Sequence, residues 1–242
     1  MTKLEFPVSV TYLGNGALKG ADTIEELTLP FFGEYLGAEA SNGYVKIVKL
    51  VDLFAQREWT SIGSLKKLTI LQGQAVPNEY CRSVNEISEV NLPDTVTEIG
   101  WSAFSNTPLK QIDLPEGLSI IDDSAFYGTK IESLSCPEGL TKIEADVFGA
   151  CTKLTKVEFS SKLTYIGEGA FNASMLSGVD FPDTLTYIGK RAFLLTSLKE
   201  VKIPYSVTYI GEGAFSQTTD LERIVVDDNN REYSSVDGVL YD

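Results

Sequence analysis

The residues Gly167-Glu168-Gly169-Ala170-Phe171 begin like a glycine-rich loop of the kind that binds nucleotide phosphates. A dinucleotide-binding GxGxxG motif needs its third glycine where the helix packs closely against the strand. That position holds Asn172 here, Ser216 in a second copy and Lys19 in an N-terminal version, and no GKS or GKT sequence of a P-loop occurs. The glycine spacing therefore argues against a nucleotide site and for a role in the shape of the chain.

The other chemically useful residue types offer little for catalysis or metal binding. Histidine is absent, which removes the usual base of serine and cysteine nucleophiles and the commonest metal ligand. The adjacent acidic pairs Asp122-Asp123 and Asp227-Asp228 are expected in turns, whereas glycosidase carboxylates face each other across a cleft. Calcium is conceivable at Asp227 to Asn229, although no EF-hand spacing supports it. We therefore predict a non-enzymatic protein without cofactor or metal.

The three cysteines, Cys81, Cys136 and Cys151, show no CxxC spacing, which argues against a zinc or iron-sulfur site. We expect Cys81 at an alanine position of the repeat described below and Cys136 at a core strand position, both as small buried hydrophobes. Cys151 is expected in a loop. We predict that all three are reduced thiols.

The composition narrows the classes of partner. The formal net charge is −14, from 34 acidic and 20 basic residues, and such a surface repels nucleic acid and anionic lipid headgroups. No run approaches the roughly 18 to 20 apolar residues of a membrane helix, and the first residues do not resemble an export signal. We expect a monomer that binds no nucleic acid and does not insert into a membrane.

A repeat explains the glycine-rich stretch. The dipeptide Ala-Phe, once Val-Phe, recurs with spacings of 22, 22, 23, 22 and 22 residues, and its phenylalanines are Phe104, Phe126, Phe148, Phe171, Phe193 and Phe215. Each unit has apolar residues at positions one, four and six, usually proline at seven, apolar residues at ten and thirteen, and Ala-Phe at seventeen and eighteen. The complete units start at Ile87, Leu109, Ile131, Leu154, Leu176 and Leu198.

Units of this length cannot bury their own apolar face, so neighbouring units must cover each other in a solenoid. The first six positions predict a short strand that proline ends, and parallel stacking spaces the coils by roughly 4.8 Å. We predict one solenoid over 1–242, with degenerate N-terminal coils at 1–64, an insertion at about 31–64 and regular repeats of 22–23 residues at 65–220. A divergent last coil follows at 221–242, where two short strands around a turn are expected to form a capping hairpin.

Positions fourteen to eighteen of each unit carry three expectations. The phenylalanines at position eighteen should stack as a column through the core. The alanine before each of them should be small because adjacent coils approach closely there. Position fourteen is often glycine, but Glu144 also occupies it, so we favour a tight turn leading into one helical turn over a strict need for positive φ.

The pattern Leu-x-x-Val/Ile-x-Phe/Ile-Pro followed by Leu/Val-Thr-Tyr-Ile-Gly-x-x-Ala-Phe resembles the BspA-like leucine-rich repeat family over residues 6–30 and 65 to about 240. The resemblance implies an α/β right-handed solenoid with a parallel sheet on its concave face and short helical turns or extended segments on its convex side. It also implies a bacterial surface or secreted protein of host-associated microbes that serves adhesion and protein binding. The implied localisation is extracellular or at the cell surface.

Two sets of exposed residues are candidate binding sites. The first, which we call the strand face, comprises positions three and five of each unit. Its candidate residues are Glu89, Asn91, Gln111, Asp113, Lys156, Glu158, Asp180, Glu200, Lys202 and Arg223. A solvated surface is the simple interpretation of the strand face, and docking of a basic or polar partner protein, such as a host extracellular or cell-surface protein, is the functional one.

The second set, which we call the tyrosine ladder, comprises Tyr165, Tyr187 and Tyr209 at position twelve, where Tyr12 also falls. Stacking that stabilises the solenoid is one interpretation of these residues. Contact with a sugar or a protein is the other, so the alternative function is a carbohydrate- or cell-wall-binding module.

Overall fold

A computed structural model describes residues 2–10, 13–32, 49–54 and 63–242. The chain forms a parallel-strand solenoid of about nine turns with little helix, as the period predicts. In chain order the strands are β1 (Lys3–Glu5), β2 (Glu26–Leu29), β3 (Lys67–Ile70), β4 (Ala75–Val76), β5 (Glu89–Asn91), β6 (Glu98–Ile99), β7 (Ile120–Ile121), β8 (Ser133–Ser135), β9 (Lys142–Ile143), β10 (Lys156–Glu158), β11 (Tyr165–Ile166), β12 (Tyr187–Ile188), β13 (Glu200–Ile203), β14 (Tyr209–Ile210), β15 (Arg223–Val226), β16 (Ser234–Val236) and β17 (Val239–Tyr241). One short helix, α1 (Leu50–Leu53), occurs in the described residues.

The first ladder of parallel strands contains the strand that opens each coil. It runs as β1-β2-β3-β5, β8-β10 and β13-β15, and matching residues of successive coils pair directly. In β8 and β10 the central residue is buried and its two neighbours are exposed, as expected for a strand with one core face. This alternation places positions three and five of the unit on the solvent side.

The first ladder is interrupted at two coils. Residues 111–113 form only an isolated bridge, from Glu89 to Gln111, and residues 178–180 form no strand. Each interruption separates two continuous parts of the ladder, β5 from β8 and β10 from β13. The strand face is therefore not a uniform sheet surface.

A second ladder of parallel two-residue strands lies at positions twelve and thirteen. It runs as β4-β6-β7 and as β9-β11-β12-β14. The second residue of each strand, isoleucine in all but β4, faces the core, and the residue before it, Tyr187 in β12 for example, is more exposed. The strand-like segment that the sequence indicates before each Gly-x-x-Ala-Phe is thus a second set of pairing strands.

The Ala-Phe segments form a third wall of turns. The Phe104 backbone N–H donates to the Ala125 carbonyl oxygen at 2.8 Å, and Phe171 donates to Ala192 in the same way at 2.8 Å. Because these N–H groups bond to the next coil, the helical turn expected through Ala-Phe is not formed, and that prediction is wrong. Residues with positive φ occur twice in each of these turns, as at Arg191 (54°) and Leu195 (59°), which also ends helical geometry.

Position fourteen does not require positive φ, in agreement with the sequence interpretation. Its glycines serve a different purpose, because a Cβ on Gly189 would lie 2.5 Å from the carbonyl carbon of Gly167. On Gly211 it would lie 2.3 Å from the backbone nitrogen of Lys190. Glycine at this position therefore lets one coil approach the backbone of the preceding coil.

The core between the three walls contains the expected phenylalanine column. Consecutive rings from Phe104 to Phe215 stack with centroid separations of 5.3–5.6 Å and interplanar angles of 5–15°. Phe159 and Phe181 add edge contacts to Phe171 and Phe193. The column is continuous across both interruptions of the first ladder, so the core is more regular than the surface.

All three cysteines are buried and free of disulfides. Cys81 is not at the alanine position, because its N–H donates to the Ala103 carbonyl as the phenylalanine N–H does in later coils. The Ala75–Glu98 pairing shows that the coil is one residue short before β4, so Tyr80 takes the alanine position. Burial raises the pKa of all three thiols, that of Cys136 to about 12, which keeps them protonated and weakly nucleophilic.

The C-terminal end carries an antiparallel hairpin of β16 and β17, with Asp237 and Gly238 at positive φ in its turn. The Ile224 N–H of β15 donates to the Gly238 carbonyl at 2.9 Å, so the hairpin lies against the last strand of the first ladder. The Tyr233 hydroxyl accepts a hydrogen bond from the Ile210 N–H at 2.9 Å, at the edge of the second ladder.

Near the N-terminus, α1 lies between early coils, because the Leu18 N–H donates to Leu53 and the Leu50 N–H donates to the Tyr80 carbonyl. The insertion expected at about 31–64 falls largely outside the described residues, as does Tyr12.

Candidate functional site

The strand face carries charged side chains that largely pair with each other. Lys156 Nζ lies 2.6 Å from Glu158 Oε1 within β10, and Arg223 Nε donates to Glu200 Oε2 at 2.7 Å between β15 and β13. Lys202 lies 3.8 Å from the same Glu200. A hydrogen bond and the opposite charge raise the pKa of Lys156 and lower that of Glu158, and both side chains are exposed. Lys156 and Glu158 therefore neutralise each other, as do Arg223 and Glu200.

At its N-terminal end the strand face is also internally paired. Glu89 forms an ion pair with Lys67 of the preceding coil, and the Asn91 amide donates to Thr69 Oγ1 at 3.1 Å. These side chains are held by their own neighbours, so a partner would have to compete with existing contacts.

Two grooves open in the strand face where the first ladder is interrupted. Groove one, of about 550 Å³, lies between the coils that begin at Leu109 and Ile131. Groove two, of about 300 Å³, extends across the coils that begin at Leu176, Leu198 and Leu221. Each groove includes residues of a coil in which the first ladder is interrupted.

Both grooves are lined by carboxylates. Groove one has Asp113, Glu116 and Glu138, beside the apolar side chains of Ile112 and Leu114. None of these three carboxylates forms an ion pair with a described residue. The Ser161 hydroxyl donates to Glu138 at 2.7 Å, and this hydrogen bond lowers the pKa of Glu138.

Groove two has Asp180, Asp183 and Asp227, beside the ring of Phe181. No ion pair involves these aspartates in the described part of the chain. Its lining also contains the ammonium group of Lys202, which lies 3.8 Å from Glu200, a carboxylate that also pairs with Arg223. The lining of groove one therefore presents three carboxylates and no cation, and that of groove two presents three carboxylates and one ammonium group, both next to apolar carbon.

The tyrosine ladder lies on another wall. Tyr165, Tyr187 and Tyr209 pair in register across β11, β12 and β14, and successive rings stack with centroids 4.6 Å apart at angles of 17° and 12°. The Lys142 ammonium lies 5.9 Å from the centroid of Tyr165, over its outer face. Burial, followed by the neighbouring phenol, raises the pKa of both Tyr165 and Tyr187.

This stacking covers most of the ring faces. Sugars are bound through the faces of aromatic rings, yet both faces of Tyr187 are occupied by tyrosines and those of Tyr165 by Tyr187 and Lys142. Tyr209 is 46% exposed, and no ring among the described residues stacks on its outer face. The ladder thus offers hydroxyl groups, ring edges and one open face.

The structure places the two predicted sets on separate sheets, so they do not form one site. Sequence reasoning included Gln111, Asp113 and Asp180. It missed the acidic residues at position eight that line the grooves, which are Glu116, Glu138 and Asp183. The signal was present as an acidic residue, an apolar residue, proline and a second acidic residue, at 113–116 and again at 180–183. The grooves themselves could not be predicted, because the period does not show in which coils the first ladder is interrupted.

The described ranges contain no group of three or more histidine, cysteine, aspartate or glutamate side chains arranged to hold a metal ion. Within the same residues, no helix is long and apolar enough to cross a membrane.

These features define a repeat protein with a parallel β-solenoid core and a variable exposed face. The model of the BspA type leucine rich repeat region matches the sequence in six copies, over residues 44–130, 74–194 and 119–235. The chain therefore belongs to the BspA-type leucine-rich repeat family, as its repeat pattern suggested. Among curated proteins, none matches the sequence.

One solved structure supports the fold. A leucine-rich repeat protein from Bacteroides ovatus ATCC 8483 matches with a TM-score of 0.58 and 21% identity, over 93% of this chain and 63% of that one. The chain thus spans less than two thirds of that relative. The pneumococcal vaccine antigen PcpA matches with a TM-score of 0.46 and 23% identity, over 100% of this chain and 47% of that one. A leucine rich cell surface protein from Faecalibacterium prausnitzii A2-165 matches with a TM-score of 0.39 and 21% identity, over 94% of this chain and 79% of that one.

Proposed function

We propose that this chain is a non-enzymatic protein-binding module that docks a partner protein on its strand face. The observation that carries the proposal is the contrast between core and strand face. The core is one continuous column, whereas positions three and five hold exposed side chains of different size and charge from coil to coil. Membership of a leucine-rich repeat family, whose rigid coils present extended surfaces, supports the same role.

Adhesion at or outside the cell surface of a bacterium is the setting that we propose for this binding. The support is the family resemblance, because proteins of this kind are typical of the surfaces of host-associated microbes. The expected partner is a host extracellular or cell-surface protein. We also propose a monomer, since the hairpin of β16 and β17 lies against β15 and leaves this strand less free to pair with a second chain.

An array of extracellular matrix and cell-surface proteins, probed with the labelled chain, tests the proposal. Ser135→Trp places a bulky side chain on the strand face at an exposed position outside the core. Thr152→Trp is the matched control at an exposed position off that face. We expect binding to at least one protein that Ser135→Trp reduces and Thr152→Trp leaves unchanged. Binding that neither variant alters would contradict docking on the strand face.

A second candidate function is glycan binding at the open outer face of Tyr209, supported by the exposure of that ring. It uses only one ring of the ladder, because the other faces are already covered. A glycan array separates the two functions. Glycan binding that Tyr209→Ala abolishes, together with no signal on the protein array, would replace the first proposal with the second.

A further inference from the structure

Groove one and groove two share a sequence pattern, and each includes a coil in which the first ladder is interrupted. Asp113-Leu114-Pro115-Glu116 and Asp180-Phe181-Pro182-Asp183 occupy positions five to eight of their units. Both stretches belong to coils in which the first ladder is interrupted, and both line their groove. No other complete unit has acidic residues at both position five and position eight.

The spacing between the grooves suits an extended chain. The units involved begin at Leu109 and Leu176, which are three coils apart, so the two acidic stretches are separated by roughly 14 Å at the usual strand spacing. An extended polypeptide advances about 3.4 Å per residue, and residues separated by an even number lie on the same side. Side chains at positions i and i+4 of an extended segment therefore match this separation and point the same way.

The surface between the grooves leaves room for such a segment. The coil next to groove one presents only the small side chains of Ser133 and Ser135. The following coil presents Lys156 and Glu158, which neutralise each other. Gly178 comes next and has no atom within 4 Å of the place where a Cβ would be.

From charge complementarity and spacing we propose that the strand face binds an extended, cationic segment of a partner protein. An arginine or lysine at position i of this segment enters one groove, and a second at position i+4 enters the other. The carboxylates of each groove receive the cation, and the apolar carbons of Leu114 or Phe181 contact its aliphatic stem. This inference rests on the proposed protein-binding function and specifies the chemistry of the partner.

The test uses fluorescein-labelled peptides of twelve residues, built from serine, threonine and valine with two arginines. One peptide has the arginines at i and i+4, and a second has them at i and i+3, where they point to opposite sides. Fluorescence anisotropy at low ionic strength measures their affinities for the whole chain. We expect the i+4 peptide to bind about fivefold more tightly, because it engages both grooves. Added salt should weaken this binding.

Variants of each groove locate the binding. Asp113→Asn with Glu116→Gln neutralises groove one, and Asp180→Asn with Asp183→Asn neutralises groove two. Either double variant should weaken the i+4 peptide about fivefold and remove its advantage over the i+3 peptide. Glu144→Gln with Glu168→Gln makes the same change in net charge away from the strand face and should leave the affinity unchanged. Circular dichroism of each variant confirms that it is folded.

Three outcomes would overturn the inference. These are equal affinity for the two peptides, full affinity in both groove variants, and an equal loss of affinity in the control variant. If the protein array reveals a partner sensitive to Ser135→Trp while no cationic peptide binds, the inference fails and the proposed function stands. If the chain binds no protein on the array and none of the peptides, both the inference and the proposed function fail.

Discussion

The strand face and the tyrosine ladder lie on the same coils, but they differ in how regular they are. In the ladder, one residue type repeats in register, and each ring stacks on the next at 4.6 Å. On the strand face, side-chain type changes at every coil and strand pairing stops twice. The rings of the tyrosine ladder cover each other's faces. The strand face instead retains two acidic grooves whose carboxylates form no ion pair among the described residues.

The difference indicates how a repeat separates stability from binding. Identical residues in register contact each other, so they stabilise the solenoid and leave little surface for a ligand. Residues that change from coil to coil cannot stack in this way, and they can differ without disturbing the core. We therefore expect substitutions behind or within the tyrosine ladder to cost stability, and substitutions on the strand face to cost little.

The largest loss of stability is expected for a substitution in the core, on which both the strand face and the tyrosine ladder rest. Phe171→Ala removes a ring that stacks on Phe148 and Phe193 and meets the edge of Phe159. We expect the free energy of unfolding to fall by about 3 to 5 kcal/mol, because a cavity opens in the middle of the column. Equilibrium denaturation followed by circular dichroism measures the change. Phe171→Leu should cost less, and a loss below about 1 kcal/mol in the alanine variant would contradict a packed column.

A pair of glycines compares the two walls directly. Gly189→Ala places a methyl group 2.5 Å from the Gly167 carbonyl carbon, behind the tyrosine ladder. Since backbone atoms must move, we expect a loss of about 1 to 3 kcal/mol in the free energy of unfolding. Gly178→Ala is the control on the strand face, where no atom lies within 4 Å of the new methyl group, and it should change stability by less than about 0.5 kcal/mol. If urea denaturation shows the same loss of stability in Gly189→Ala and Gly178→Ala, the proposed difference between the two walls is wrong.

The repeat made the regular features predictable. The spacing of Ala-Phe predicts the column, because one apolar residue at a fixed position in stacked coils must meet its copies. The alternation at positions three to five likewise predicts which residues form the strand face. These features depend only on the period, which the sequence displays several times over.

Local departures were not predictable from the period. The coil of Cys81 is one residue short before β4, and only strand pairing shows that Tyr80 takes the alanine position. The turns around Ala-Phe adopt positive φ at Arg191 and Leu195, residue types that do not indicate such a conformation. The two grooves include coils in which the first ladder is interrupted, and the period does not show which coils these are.

An intermediate loss of stability is expected for a substitution at the centre of the tyrosine ladder. Tyr187→Ala removes two stacking contacts, with Tyr165 and Tyr209, and should lower the free energy of unfolding by about 1 to 2 kcal/mol. The matched change on the strand face is Lys156→Ala, which breaks the exposed pair with Glu158 and should lower the free energy of unfolding less than Tyr187→Ala does. Thermal and urea denaturation of both variants provide the comparison. A larger loss in Lys156→Ala would show that the strand face, not the ladder, stabilises the coils.

The smallest loss of stability is expected at β14, the strand at which the second ladder ends. The Tyr233 hydroxyl accepts a hydrogen bond from the Ile210 N–H of β14, which has no further strand of the second ladder beside it. Tyr233→Phe keeps the ring and removes the acceptor, so we expect a loss of about 1 kcal/mol and faster hydrogen exchange at the Ile210 amide. Tyr205→Phe is the control, because Tyr205 is 52% exposed and its hydroxyl makes no hydrogen bond within the described ranges. If exchange at Ile210 is the same in both variants, the hydroxyl does not protect the edge, and the stability of the ladder comes from ring stacking alone.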